Sequence, residues 1–299
     1  MSTQESNAGQ DRFPIRELSA QTNVNTVTIR AWERRYGLLN PERTSKGHRL
    51  YSQSDVTTIE KILGLVARGV PLRKVKALLA EGGVQENLDT TDSWAEPIDK
   101  LASAIQAFSS SRIEHIIDDS FLNYPPNVCR ERLIEPTLEV LAQSKQQEAT
   151  ALFAESELIR YTLLRLNTKA SKHEQRSMML VCGENTPLWR LALVAMELTD
   201  AGFKTQLVTR SFSVNAFAEL TEAVPDSPKI FYQDGQWRKN EAEKVGQLLQ
   251  AFNNIKLVGT APLLAGLEDN EHVFNDLSQC VRSLAEATQA DNQVSTEAI

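Results

Sequence analysis

The densest chemistry in this 299-residue chain is a run of cations: Arg30, Arg34 and Arg35, then Arg43, Lys46 and Arg49. Between Thr26 and Tyr51 only Glu33 and Glu42 oppose them. Guanidinium forks match phosphate oxygens and the O6/N7 edge of guanine, whereas an ammonium group acts as a point charge. Thr26 and Thr28 add short donors suited to base edges or phosphates, and Tyr36 and Tyr51 add hydroxyls that can be given to a phosphate. Together this is the chemistry of gripping a polyanion. Evidence of catalysis is thin by comparison. No Gly-x-Gly-x-x-Gly, P-loop, Gly-x-Ser-x-Gly or His-Glu-x-x-His occurs. The four histidines, His48, His115, His173 and His272, are scattered, and none has a metal-ligand partner at helical spacing. Glu114-His115 and Asp118-Asp119 read most simply as an exposed acidic face. The expectation is a chain that is not an enzyme and holds no metal.

The elements that would carry those cations follow from local signals. Pro14 suits a first helical turn, and Ile15, Leu18 and Ala20 give a short apolar face to about Gln21. Thr22-Asn23-Val24-Asn25 is a turn cluster in which Asn25 is a good N-cap for a helix over Thr26–Tyr36, and Gly37 ends that helix. Two short helices around a tight polar turn form a helix-turn-helix pattern, with Thr26, Thr28, Arg30, Arg34 and Arg35 on the second helix. Arg43 to Tyr51 then flanks a Ser-Lys-Gly turn, which predicts a small hairpin carrying Arg43, Lys46, His48 and Arg49. Cations there suit backbone contacts that position a protein on a duplex. Trp32, Leu38, Leu39, Leu50, Ile59 and Leu63 read as core. Gly47 serves the turn, and Glu33 pairs with a neighbouring arginine. His48 has two readings, a phosphate donor or an orienter of the hairpin. Helices over Val56–Arg68 and Leu72–Ala80 complete a unit at residues 12–83.

Charge divides the molecule. The formal net charge is −7, yet residues 1–82 hold 13 basic and 8 acidic groups, and the rest hold 19 and 31. A basic module on an acidic body is a pattern of nucleic-acid binders. Apolar residues make up 41% and charged residues 24%, which excludes a mostly disordered chain. No apolar run approaches the length of a membrane span, and the N-terminus lacks a basic-then-apolar secretory pattern. Three widely spaced cysteines, Cys129, Cys182 and Cys280, cannot form a disulfide framework and suit a reducing cytosol. No membrane partner is expected, and the expected location is cytoplasmic, with the nucleoid.

Past the reader, residues 1–11 read as a disordered leader and 84–93 as a linker. A helical bundle is expected over 94–172, with segments Ile98–Phe108, Arg112–Leu122, Val128–Gln146 and Ala149–Asn167, the third restarting at Pro136. From Ser177 the period changes. Strands at Ser177–Gly183, Phe203–Thr209, Lys229–Gln233 and Lys256–Gly259 alternate with helices at Leu188–Ala201, Val214–Ala223, Glu241–Phe252 and Glu271–Thr288. That order means a doubly wound α/β domain over 176–288. Residues 289–299 read as a disordered tail. The fold class is therefore multi-domain and mainly α.

The run Thr26–Val56 resembles the DNA-binding domain of the MerR family of transcriptional regulators. The matching residues are Thr28-Ile29-Arg30, Trp32-Glu33-Arg34, Tyr36-Gly37-Leu38-Leu39, Arg43, Gly47-His48-Arg49-Leu50-Tyr51 and Asp55, and the likeness extends from Phe13 to about Leu79. It implies a winged helix-turn-helix whose second helix enters the major groove, and a dimer or higher homo-oligomer on a pseudo-palindrome with half-sites about one turn or a multiple apart. In that family activators distort an overlong promoter spacer, so RNA polymerase is an implied partner, and operator position sets the sign of regulation.

The bundle followed by the α/β domain resembles the MerR subgroup with a C-terminal cobalamin-binding-like module. There an Asp-x-His-x-x-Gly motif after the first strand supplies the axial histidine. Aligned on Gly202, this chain has Asn185, Pro187 and Arg190 at the motif's Asp, His and Gly positions. Pro187 cannot ligate a metal, and Arg190 is bulky where the cofactor's tail needs room. The Glu-His pair that caps the cofactor in light-sensing members is met here by Glu155-Ser156. The resemblance is therefore to the curli and biofilm activator branch, with no cofactor, the module serving oligomerisation or signal and protein input. A ligand- or cobalamin-controlled, light-responsive regulator is the alternative, and a corrinoid-dependent enzyme component stands behind it. Trp189, Trp237, Tyr232 and Phe153 read either as a pocket for another small molecule or as core, and Cys182 as a redox sensor or an inert strand-end thiol.

Overall fold

The computed structural model describes residues 12–80, 94–143, 147–168 and 176–297, with side chains from 288 to 297 left aside. The proposed leader and linker lie outside these residues. The reader opens with strand β1 (Phe13–Pro14), helix α1 (Ile15–Thr22) and helix α2 (Thr26–Ala31), which continues as a π-helical turn over Trp32–Tyr36. Asn25 caps α2 by accepting from Val27 N at 2.9 Å. Gly37, at φ +60°, ends the turn in a backbone conformation that costs glycine least. The hairpin pairs β2 (Glu42–Arg43) with β3 (Arg49–Tyr51), Arg43 opposite Arg49. Phe13–Pro14 pairs with the other edge of β3 instead of starting the first helix, so the wing is three-stranded. Helices α3 (Gln53–Ala67) and α4 (Leu72–Ala80) complete the unit. Asp55 Oδ2 accepts from Ser52 N at 2.8 Å, closing a capping box on α3.

The bundle comprises α5 (Ala95–Gln106), α6 (Ser110–Asn123), α7 (Pro126–Cys129), α8 (Glu135–Ala142) and α9 (Gln147–Thr168). The third segment restarts as an α-helix beside Pro136, as expected. A π turn over Arg130–Ile134 joins α7 to α8, and Pro136 sits in the first turn of α8, where a missing N–H is tolerated. One buried core runs from Leu18, Ile29 and Trp32 in the reader through Leu101, Ile117 and Leu133 in the bundle to Leu193 and Met196 beyond it.

The α/β domain contains β4 (Arg176–Cys182), α10 (Leu188–Asp200), β5 (Phe203–Leu207), α11 (Val214–Ala223), β6 (Lys229–Tyr232), α12 (Lys239–Ala251), β7 (Ile255–Val258), α13 (Thr260–Leu264), β8 (Val273–Phe274) and α14 (Leu277–Glu297). Its strands are parallel in the order β5-β4-β6-β7-β8, the flavodoxin-like doubly wound order. Separate cores fill the two faces, Leu180, Leu191 and Cys280 on one and Val181, Phe217 and Leu257 on the other. Two elements of this domain escape the sequence reading, β8 and α13. The last helix starts at Leu277, later than read, and runs to Glu297 where a disordered tail is expected, since no Gly or Pro interrupts 277–297. Among the described residues no helix is long and apolar enough to cross a membrane.

Candidate nucleic-acid interface

The reader helix has two faces with different fates. Val27, Arg30 and Arg34 follow the helical i, i+3, i+7 spacing and are all exposed. Arg30 and Arg34, like Lys46 on the wing, form no ion pair with any described residue. Val27, 46% exposed, is a residue sequence reasoning missed. Its spacing from Arg30 was the available signal, and an aliphatic side chain at such a position suits a thymine methyl. Thr26 is half-buried beside them.

Glu33 links this helix to the wing. Its carboxylate accepts from Arg49 Nε at 2.6 Å and lies 3.6 Å from Arg43 Nη2. The hydrogen bond to Glu33 raises the already high Arg49 pKa, so that guanidinium stays charged. Arg43, Lys46 and His48 are exposed around the hairpin tip. The tip turns at Gly47, φ +81°, with Thr44 N donating to His48 O at 2.9 Å. Glu33 thus ties Arg43 and Arg49 of the wing to the helix that carries the exposed Arg30 and Arg34, while Lys46 and His48 stand exposed at the hairpin tip.

Three expected hydroxyl contacts are corrected, those of Thr28, Tyr51 and Tyr36. Thr28 is 2% exposed and Tyr51 fully buried, so neither hydroxyl reaches a duplex in this arrangement. Both fall on the inward side of their elements: Thr28 sits beside Ile29 in α2, and Tyr51 ends β3 against the core. Tyr51 Oη has no hydrogen-bond partner among the described residues, and burial, followed by the nearby Glu33, pushes its pKa up to about 12. Arg35 and Tyr36 face the bundle: Arg35 Nη1 and Tyr36 Oη each lie 3.2 Å from Asn123 Oδ1. Arg35 remains partly exposed, whereas the Tyr36 hydroxyl is already committed. Burial raises the Tyr36 pKa, so it stays a donor.

At the carboxyl edge of the parallel sheet, where α/β folds bind ligands, the loop after β4 is occupied by the chain's own groups. Gln233 Nε2 donates to Glu184 O at 2.7 Å, Asp234 N to Thr186 Oγ1 at 3.0 Å, and Thr260 N to Asp234 Oδ1 at 3.1 Å. The Gln233 side chain lies so close over Gly183 that even a Cβ there would collide with it. Pro187 precedes α10, and the Arg190 guanidinium stacks 5.3 Å over the Trp189 ring. With no histidine in this loop and its polar groups bonded to one another, these residues do not fit a histidine-ligated corrinoid.

The aromatic pocket does not assemble either. Tyr232 and Trp237 are buried in separate cores, and Phe153 packs against a third core that holds Trp189. Cys182 donates to Thr186 O at 3.4 Å, and burial pushes its pKa up to about 12, leaving a thiol rather than a reactive thiolate. A cavity of about 440 Å³ opens elsewhere, between Thr22–Val24, Pro125–Asn127 and Ser278–Ala285. Among the described residues no cluster of His, Cys, Asp and Glu could hold a metal ion.

A winged helix-turn-helix with a free arginine face, set on a helical and α/β body, defines a DNA-binding transcriptional regulator of MerR type. The model of the MerR HTH family regulatory protein matches residues 13–82. The HTH-type transcriptional regulator MlrA of Escherichia coli (strain K12) is 30% identical over 205 residues, covering 67% of this chain and 81% of that protein. The HTH-type transcriptional repressor CarH of Myxococcus xanthus is 26% identical over 174 residues, 53% of this chain and 57% of that one. Among solved structures, the monomethylamine corrinoid protein of Methanosarcina barkeri aligns with TM-score 0.47 and 12% identity, over 64% of this chain and 98% of that one. The chain belongs to the MlrA family of HTH-type transcriptional regulators.

Proposed function

We propose that this regulator binds a pseudo-palindromic operator as a homodimer, with Arg30, Arg34, Val27 and Thr26 of each reader helix in the major groove. Arg43, Lys46, His48 and Arg49 of the wing, with the exposed edge of Arg35, hold the neighbouring phosphates. The observation that carries this reading is the unpaired Arg30–Arg34 face beside a wing whose arginines are held by Glu33. The body supplies oligomerisation and signal or protein input, without catalysis and without a cofactor. RNA polymerase is the further partner where the operator overlaps a promoter. The working location is the cytoplasm, at the nucleoid.

Footprinting of the full chain on its own upstream region, followed by anisotropy titrations over a salt series, tests this. Phosphate neutralisation gives a steeply negative slope of log affinity against log salt. Arg30→Ala and Arg49→Ala are each expected to weaken operator binding by about tenfold or more with the fold intact. Unchanged affinity in both would remove this surface from the interface.

A further inference from the structure

The residues on the far face of the reader helix meet at a single amide. Trp32 Nε1 donates to the backbone oxygen of Asn123 at 2.7 Å. Arg35 Nη1 and Tyr36 Oη both donate to its Oδ1, each at 3.2 Å. In the other direction Asn123 Nδ2 donates to Asp119 O at 2.7 Å, and Asp119 Oδ1 lies 3.6 Å from Arg35. Asn123 is 5% exposed and Trp32 fully buried. The amide can adopt only one orientation, because its oxygen faces two donors and its nitrogen a carbonyl. An aspartate would lose the donation to Asp119 O, and a leucine would lose every side-chain bond. Both donors to its side chain come from the reader, as does the indole donor to its backbone, while its own donation anchors it to α6.

We infer that Asn123 is a positioning residue for DNA reading: it fixes the direction of the reader helix relative to the body, and so the distance between the two arginine faces of a dimer. The inference rests on the operator-binding reading above. It also explains the π turn. Wider winding over Trp32–Tyr36 brings Trp32, Arg35 and Tyr36 together on the side turned to α6 and leaves Arg30 and Arg34 outward. Without the amide the reader still folds and still carries its cations, but its direction relative to the body is less restricted.

The test compares full-length wild type and Asn123→Leu on three duplexes: the footprinted operator, a derivative with one base pair inserted between the half-sites, and a single half-site. Wild type is expected to discriminate strongly against the insertion. Asn123→Leu, shown folded by circular dichroism, is expected to lose that discrimination by about fivefold or more, the scale of one lost net hydrogen bond. Its half-site affinity should match wild type, which a general loss of structure would not allow. A folded variant with wild-type spacing preference overturns the inference, whereas failure of wild type to bind any of the duplexes overturns the operator reading instead. If Asn123→Leu does not fold, Tyr36→Phe decides in its place: weaker spacing discrimination supports the clamp, and unchanged discrimination overturns it.

Discussion

At the scale of single residues, the most consequential group outside the reader is Arg130. Its guanidinium is almost wholly buried, with Nε 2.9 Å from Glu197, Nη2 3.2 Å from Glu131 and 2.7 Å from Ser278 Oγ, and Nη1 3.5 Å from Glu135. One cation thereby ties the bundle to α10 and α14. Burial alone would lower its pKa, but Glu197 and the two other carboxylates outweigh that and hold it charged. Burial raises the Glu197 pKa while Arg130 pulls against it. Removing one member of such a pair strands the other, so Arg130→Met should lose about 3–5 kcal/mol in urea unfolding. The double variant Arg130→Met/Glu197→Met should recover most of that loss, because two apolar groups leave no uncompensated charge. A double variant as unstable as the single would mean that packing, not the stranded carboxylate, sets the cost. Residue chemistry of this kind was partly legible in advance. Arg30, Arg34, Arg43 and Lys46 stand exposed as their types imply, because hydrated cations seldom go inside unpaired, and His48 is exposed beside the hairpin turn. Thr28 and Tyr51 turned inward because threonine and tyrosine serve a core as readily as a surface, and composition does not say which way a short helix or strand is rotated.

At the scale of elements, caps and stops were the readable signals. Asn25 and Gly37 place the reader helix as their residue types dictate, whereas α3 starts at Gln53 behind a Ser52–Asp55 capping box, three residues before the expected Val56. The alternation of strands and helices from Arg176 onward placed the parallel sheet within a residue or two at most ends. What escaped lacks periodicity: the two-residue strands Phe13–Pro14 and Val273–Phe274 exist because a neighbour's edge is available, and the π turns because of tertiary contacts. Asn25 also does more than cap. Its Nδ2 donates to Asp200 Oδ1 at 3.0 Å, tying the start of the reader helix to the end of α10. Asn25→Asp keeps a capping oxygen but sets a second carboxylate against Asp200. The unfolding temperature should therefore fall most at low salt and recover only in part at 1 M, because the Debye length there is still ~3 Å and a part-buried pair in contact is screened less than an exposed one. Asn25→Ser, which caps without the charge, should show a smaller loss that salt does not reverse. Salt-insensitive loss in Asn25→Asp would place the defect in the cap rather than in the contact with α10.

At the scale of the whole molecule, sequence periodicity could list the three units but not their docking, because they are joined by a shared buried core and by single polar bonds, both made between distant segments. Trp32 with Asn123, Asn25 with Asp200 and Arg132 with the carbonyl of Ala67 carry no periodic signature. The docked arrangement also separates the reader from the cleft at the carboxyl edge of the sheet. The reader meets the bundle at the end of α6 and touches α10 at Asp200, the end of that helix remote from Pro187. The cleft lies at the other end of α10, over the loop where Gln233, Thr186 and Asp234 bond to one another. For a corrinoid to sit there, those bonds would have to open and Gln233 leave Gly183, with no histidine in the loop to compensate. Incubation of the purified chain with adenosylcobalamin followed by desalting should therefore leave no corrinoid absorbance, and Pro187→Ala should leave operator affinity within about twofold of wild type, well under the ~1.4 kcal/mol that a tenfold change represents. Retained corrinoid bands would show that the loop opens for a base-off cofactor. A large loss of binding in Pro187→Ala, without corrinoid, would show instead that α10 transmits the state of this loop to Asp200 and, through Asn25, to the helix that reads DNA.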